Sequence, residues 1–423
     1  MNTAVPRSID TIVIGAGQAG LVMSWHLRQA GRNHIVLDRR ATLGGGWQDR
    51  WDGFVLVGPN WTTGLPGFPY EDGDPDGFMA RDAVAARMRR YAEVIGAPVH
   101  HPVEVTRLSA GDAGTRGDGA PGRRLHLETS DGPIEADDVI VATGAFHRPK
   151  IPAGAAAISP RVRQLHSHEY RREADLAPGG VLIVGTGQSG VQIAEELHEA
   201  GRAVTLVTSR CGRAPRRYRG YDNFFWVRQL ATRGPDFDTP LVPVDKLPDP
   251  RMKFACNPHV SGHHGGHDTN LRLMATHGIR LTGRFLKADG ERLEFAPDLG
   301  SNLRFADEFF NNRFKTLCDT FGERAGLEMT DDDRVWLTYE PPEVEVLDLA
   351  AEGISTVLWT TGYAPDYGWL ELPILDEFGV PRHVRGVSEV PGLSFIGLLW
   401  QHNNASANLS GVAVDAAYLA SRW

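Results

Sequence analysis

TIVIGAGQAGLVMSWHLRQAGRNHIVLDRR, residues 11–40, and VLIVGTGQSGVQIAEELHEAGRAVTLVTSR, residues 181–210, are two copies of one pattern. They align without a gap at an offset of 170 residues. Each opens with a short apolar strand, turns through GxGxxG, continues as a helix and passes Ala-Gly-Arg into a second apolar strand. A lone glycine triplet is a weak signal. The whole strand–turn–helix–strand setting, twice in register, predicts two dinucleotide-binding βαβ units. The fold class that follows is α/β with two Rossmann-like domains.

The glycines have separate tasks. Gly15 and Gly185 make the tight turn, Gly17 and Gly187 let backbone approach a pyrophosphate at the positive end of a helix, and Gly20 and Gly190 let helix pack on strand. Gln18 and Ala19, and Gln188 and Ser189, begin those helices and join the candidate nucleotide contacts. Gly31 and Gly201 read as C-caps. The copies part at the end of the second strand. There the first has Asp38, placed to accept hydrogen bonds from a ribose diol, with Arg39 beside it. The second has Thr208, then Ser209 and Arg210, so no acid repels a phosphate and a guanidinium is available to bind one. The first copy therefore suits FAD and the second NADPH. Of Arg213, Arg216, Arg217 and Arg219, one or two are candidates to clamp a 2′-phosphate, and at least half read as a solvated run.

Two further apolar runs end in glycine, Val139–Gly144 and Val357–Tyr363, and proline follows each at Pro149 and Pro365. Each reads as a crossing out of a sheet. The FAD domain is thus expected to be discontinuous, 1–145 plus 345–423. The NADPH domain, 146–344, is inserted in it, with a helical, substrate-related portion at about 220–345. Residues 112–122 read as a polar loop.

Composition narrows the function. Of 423 residues, 41% are hydrophobic and 23% charged, as in an ordinary globular chain rather than a disordered one. The formal net charge of −9 argues against nucleic-acid or anionic-membrane partners. No apolar run approaches the length of a membrane span. Cys211, Cys256 and Cys318 are odd in number, distant in sequence and without CxxC, which argues against a disulfide framework or dithiol pair and for a reducing, cytoplasmic setting. The 48 glycines exceed the usual share, and many fall in the nucleotide motifs.

With these motifs in place the chain resembles the flavin-containing monooxygenases, the single-component class B group that includes N-hydroxylases and Baeyer–Villiger monooxygenases. The resemblance covers most of the chain and thins between about 220 and 345. Gly44-Gly45-Gly46-Trp47 matches the GGxW near the flavin. Thr143-Gly144 and Thr361-Gly362-Tyr363 match the two TG linkers. His166-Ser167-His168-Glu169-Tyr170-Arg171 matches the second half of FxGxxxHSxxYK/R, whereas Pro160 and Val162 stand where its Phe and Gly are expected. The Tyr-Arg ending is the form of the N/S-oxygenating branch.

The resemblance implies further roles. Asn60, in NWTTGLPGF (60–68), lines up with an Asn that reaches toward flavin and nicotinamide, although Thr63-Gly64 replaces the Lys-Glu pair of that segment; on the residues alone it is a turn residue after Pro59. Val105 joins the expected flavin contacts, as do Gly45, Trp47, His166 and Tyr170. Residues 393–423 look like the closing strand, loop and helix, with Ser410-Gly411 opening a helix whose N-terminus faces the flavin; Leu398 follows Gly397, where many relatives carry an acid. The implied chemistry is hydride transfer from NADPH to FAD, capture of O2 as a C4a-hydroperoxide, and oxygen transfer to a nucleophilic nitrogen or sulfur of a small molecule. Alternatives are a reductase, a Baeyer–Villiger oxygenase or a non-catalytic NADPH sensor. A homodimer is compatible with this reading.

Three segments lie outside the motifs. CNPHVSGHHGGHD (256–268) concentrates a cysteine and four histidines, but in no regular zinc spacing, and reads as a surface or substrate-facing loop rather than a metal site. Asp268 reads as the N-cap of the helix after it. Phe224-Phe225-Trp226 favours core over substrate cage, and Phe305, Phe309, Phe310, Phe314 and Leu317 fall at helical spacing within 301–328.

Overall fold

A computed structural model describes residues 5–115, 121–232, 243–332, 334 and 337–422. The expected polar loop at 112–122 is shorter than the sequence suggests: residues 112–115 and 121–122 belong to the paired strands Val105–Thr115 and Pro121–Thr129, and the centre, 116–120, lies outside the described residues.

Strand Ser8–Ile14 carries Ile12-Val13-Ile14, and it pairs in parallel on both sides, with His34–Leu37 and with Ile134–Val141. A strand buried on both faces needs apolar residues at every position. Val99–His100 and Leu393–Phe395 extend this sheet in parallel, and hairpins complete it at its margin. The second sheet is parallel throughout, in the order Arg280–Thr282, Val204–Val207, Gly180–Val184, Ile354–Trp359, Arg163–His166.

Helices Gln18–Gln29 and Gln188–Glu199 follow the two glycine turns at the same place in each copy. Both end as the sequence predicts: Gly31 at φ 64° and Gly201 at φ 84° turn the chain where a side chain would be strained. The first helix buries Leu21, Val22, Met23 and Leu27 completely, at about 1.5–3 kcal/mol per large side chain. It packs against the closing helix Val412–Ala420. One apolar cluster is continuous from Val13 and Leu21 through Trp51 and Tyr170 to Ile183 and Leu206, so the two nucleotide-type units share a core.

The two crossings between the sheets run side by side. Tyr363 pairs with Pro149 and Ala364 with Arg148 in a short antiparallel ladder. Lys150 N–H donates to the Gly362 carbonyl at 2.9 Å, closing the pair.

Two boundaries differ from expectation. The sequence puts the return to the first sheet at 345, yet Ile354–Trp359 is an inner strand of the second sheet, so the crossing comes after Trp359. The stretch 220–345 is also less helical than expected. It contributes Arg280–Thr282 to the second sheet, and its hairpin Phe285–Asp289 and Arg292–Phe295 is completed by Val346–Asp348. These strands are three to five residues long, too short for periodicity to outweigh the aromatic helix that follows.

That helix runs Leu299–Phe309 and Lys315–Ala325, joined by a π-type turn at Phe310–Phe314. The short helix Leu271–Thr276 is capped by Asn270, whose side chain accepts from Arg272 N and Leu273 N, and not by Asp268, which instead accepts the backbone N–H of Arg216. No helix among the described residues is long and apolar enough to cross a membrane.

Candidate functional site

A cavity of about 1190 Å³ opens where the two units meet. Its wall includes Gly15, Gly17 and Asp38 from the first repeat and Gln188 and Ser189 from the second. Gln18 and Gln188, and Ala19 and Ser189, each pair 170 residues apart in sequence, thus face one space.

The first cradle is built from close backbone approach. A Cβ on Gly20 would lie 1.8 Å from the Gly15 carbonyl oxygen, and one on Gly190 2.0 Å from that of Gly185. The third glycines therefore set helix against turn and stand behind the cavity wall. Gly45 of the GGGW segment comes so near Gly17 that a Cβ would sit 2.9 Å from its Cα. The GGGW turn is thus laid over the first fingerprint with no side chain between them. Such a cleared, N–H-rich helix start fits a dinucleotide pyrophosphate.

Side chains then tie this cradle together. The Trp47 indole N–H donates to Gln18 Oε1 at 3.1 Å, and Gln18 Nε2 donates to the Ala407 carbonyl at 2.7 Å. Asp38 is buried. Its Oδ2 accepts the Ala16 N–H at 2.7 Å and its Oδ1 the Arg40 N–H at 2.8 Å. Carboxylate oxygens have further lone pairs, so hydroxyls of a ribose can still be met from the cavity side. Ala19, Arg39, Val105, Thr143 and Gly144 line the same cavity. At the closing segment, Ser410 reaches the cavity, while Gly411 allows close passage of the Ala405 carbonyl, which a Cβ would meet at 2.0 Å.

The second cradle is covered by residues 256–260. Gln188 Nε2 donates to the Val260 carbonyl at 2.7 Å, and Cys256 Cβ lies 3.9 Å from where a Gly187 Cβ would stand. His259 is fully buried against the Thr186 carbonyl, and burial lowers its pKa to about 4. Gly185 and Gly187 lie behind the cavity wall with Gly190. Thr208 is buried and donates to the Thr282 carbonyl at 2.8 Å, Ser209 meets Thr186, and Arg210 is exposed over the Phe305 ring. None of these three lines the cavity.

Three of the following arginines are engaged within the protein. Arg213 pairs with Asp307, Arg219 with Asp319, and buried Arg216 joins Asp222 to the Val57 carbonyl of the first unit. Arg217 alone of the four is exposed.

The His166–Arg171 segment binds the joint. His166 Nδ1 accepts the His168 N–H at 3.1 Å, which leaves the Nε2 proton to donate to the Gly362 carbonyl at 3.0 Å. Burial holds this imidazole below its usual pKa, so it is a neutral strut. Tyr170 OH donates to Glu196 at 2.7 Å, and Arg171 reaches the Asp49 carbonyl beside GGGW. His166, Tyr170, Thr361 and Gly362 stand behind the cavity; His168 and Tyr363 form part of its wall.

Asn60 is placed differently from expectation. Its Nδ2 donates to the Asp74 carbonyl at 2.9 Å, its N–H to that of Gly77, and its buried Oδ1 has no partner among the described residues. Its neighbours Gly58 and Thr62 line the cavity, and Asn60 does not. The side chain ties its turn to residues 74–77.

Three cavity residues were not singled out by the sequence. Arg50 lies over the Phe146 ring at 4.6 Å, with a buried Nε that has no partner among the described residues and a pKa depressed by burial. Trp400 takes φ 55°, rare for a bulky residue and most frequent at functional sites. Phe146 lines the cavity with them. No local pattern marks any of them. Part of the wall is apolar, formed by Phe224, Val227, Phe310, Phe314 and Leu317. Trp226 is core, as expected, whereas Phe224 faces the cavity. In the histidine-rich segment, His264 and His267 face Glu199 and Glu195 on the second fingerprint helix.

A family profile described as pyridine nucleotide-disulphide oxidoreductase matches residues 12–228. An uncharacterized CzcO-like oxidoreductase of Geobacillus kaustophilus is 29% identical, over 97% of each chain. A flavin-containing monooxygenase, FMO GS-OX-like 2 of Arabidopsis thaliana, is 28% identical over 50% of this chain and 52% of its own. Among solved structures, a flavin-containing monooxygenase from Stenotrophomonas maltophilia superposes with TM-score 0.66 at 22% identity, covering 99% of this chain and 98% of that one. The last likeness is one of fold.

Proposed function

The chain belongs to the pyridine nucleotide-disulphide oxidoreductase family and, within it, to the class B flavin monooxygenases, and from that membership we propose that it is an FAD- and NADPH-dependent monooxygenase. It delivers one oxygen atom of O2 to a nucleophilic nitrogen or sulfur of a small, largely apolar molecule. The observation that carries this reading is the single cavity walled by Gly15 and Gly17 on one side and Gln188 and Ser189 on the other.

The flavin, when bound, supplies the electron storage and oxygen activation that no side chain can. The residues do the rest. Asp38 offers acceptors for a ribose, and the Gly17–Gly45 contact clears backbone for the pyrophosphate. Gln18 fixes both sides of the site through Trp47 and Ala407. The absence of an acid at Thr208 favours the phosphorylated nicotinamide nucleotide. Phe224, Phe310 and Phe314 present an apolar wall, beside which a charged substrate would meet a desolvation penalty. The Tyr170-Arg171 ending supports nitrogen or sulfur over carbonyl oxygenation.

The cofactor part is tested by releasing and identifying the bound flavin, then comparing its anaerobic bleaching by NADPH and NADH. The reading expects FAD, reduced faster by NADPH. Protein that takes up no flavin, or prefers NADH, contradicts it.

A further inference from the structure

Cys211 and Cys256 are 45 residues apart in sequence, and the fold brings them together. His259 N–H donates to the Gly212 carbonyl at 2.8 Å, and Ala214 N–H to the His259 carbonyl at 3.1 Å, so residues 211–214 lie alongside 256–260. The buried Cys211 S–H is directed at the Asn257 carbonyl at 3.5 Å, one residue from Cys256. Cys256 is exposed, lines the cavity and stands against Gly187. The third cysteine, Cys318, is fully buried within helix Lys315–Ala325.

We propose that Cys256 and Cys211 are a peroxide-sensitive thiol pair whose disulfide fastens residues 256–260 over the second glycine turn and hinders entry of the nicotinamide nucleotide. Cys256 is the attacking thiol, because it alone of the pair is open to the cavity. The hydrogen bond from Cys211 also holds its thiol below the ordinary range, which favours the thiolate.

The oxidant is hydrogen peroxide, the product of a flavin oxidase cycle that fails to reach substrate. The Cys256 thiolate attacks one peroxide oxygen; an S–O bond forms, the O–O bond breaks and hydroxide leaves. The Cys211 thiol then attacks that sulfur and gives its proton to the departing oxygen; the S–S bond forms, the S–O bond breaks and a second hydroxide leaves. The two thiol protons convert both hydroxides to water. Two electrons pass from two thiols to one peroxide. Bond closure to about 2.0 Å needs side-chain and local loop adjustment between two segments that already pair along their backbones.

The bond acts on binding because Gln188 and Gly187 are already roofed by Val260 and Cys256. A covalent tie to Cys211 removes the freedom of this roof to lift. The binding consequence rests on the NADPH reading above; the disulfide itself does not.

The test treats the full-length protein, as purified, with hydrogen peroxide, followed by thiol alkylation, intact mass and non-reducing peptide mapping. NADP+ titration before and after, and after dithiothreitol, reads the effect on binding. Expected are a mass loss of about 2 Da, a peptide joining Cys211 to Cys256, and an NADP+ Kd raised about tenfold and restored by the thiol. The Cys256→Ser variant should show no cross-link and no peroxide-dependent change in its own Kd. Protein that keeps three alkylatable thiols, or links other cysteines, overturns the pair. A 211–256 bond that leaves Kd unchanged overturns the gating. Untreated protein that binds no NADP+ overturns the nucleotide reading and the gating with it, while the mass data still decide the pair.

Discussion

The Trp47 indole N–H donates to the side-chain carbonyl of Gln18 at 3.1 Å. Because Gln18 also donates to Ala407, one amide joins the first fingerprint helix, the GGGW turn and the closing segment around the cavity.

Gln18→Leu removes both bonds while keeping helix propensity. Global stability should fall by about 1–2 kcal/mol, whereas flavin retention should fall about tenfold or more. Denaturant unfolding of the flavin-free protein and a fluorescence titration with FAD separate the two effects.

Asp38→Ala leaves the Ala16 and Arg40 N–H groups without their acceptor. Unsatisfied buried donors cost about 1–3 kcal/mol each. The variant should be both less stable and poor at binding FAD, and Asp38→Asn, which keeps one acceptor, should lie between it and the parent. Equal FAD affinity in all three would remove Asp38 from the ribose site.

Glycines of one fingerprint should respond in opposite ways. Gly190→Ala drives a Cβ to 2.0 Å from the Gly185 carbonyl, and a loss of about 3 kcal/mol or more is expected. Gly187→Ala meets nothing nearer than Cys256 Cβ at 3.9 Å, and its stability should stay within about 1 kcal/mol of the parent. It should still bind NADPH more weakly, because the added methyl points toward Cys256, which lines the cavity. Thermal unfolding and NADP+ titration of both variants check the contrast.

Burial lowers the pKa of His259 and of His383 from 6.5 to about 4. Between these values the unfolded chain binds more protons than the folded one, so stability is complete above pH 6.5 and is lost as pH falls toward 4. His267, held charged by Glu195, works in the opposite direction. The two lowered groups outweigh it, and unfolding at pH 5 should need less denaturant than at pH 7.5. His259→Gln should shrink that difference by about 1–2 kcal/mol.

Legibility followed the range of each interaction. Both fingerprints, their C-caps and the two crossings were readable because each is a local pattern, and repetition confirmed it. Gly362 and Pro149 were recognised as joints, although their pairing is a tertiary fact. His166 and Tyr170 were found by resemblance but serve the joint, since sequence shows that a residue belongs to a motif and not which way it points. Asn60 misled for the same reason. Arg50, Trp400 and the Cys211–Cys256 meeting carry no local signature; only the fold brings them to the cavity. The second-sheet strand at 280–282 was missed because three residues give periodicity little to work on.

Oxygen transfer from O2 to substrate is read with isotopic oxygen. FAD-loaded protein is supplied with NADPH under 18O2 and a panel of apolar amines and thioethers, and products, NADPH and peroxide are measured together. The expected result is at least one product carrying a single 18O, formed in about equal amount to the NADPH consumed. NADPH consumption that yields only hydrogen peroxide across the panel, with no labelled product, would contradict the account and leave a reductase in its place.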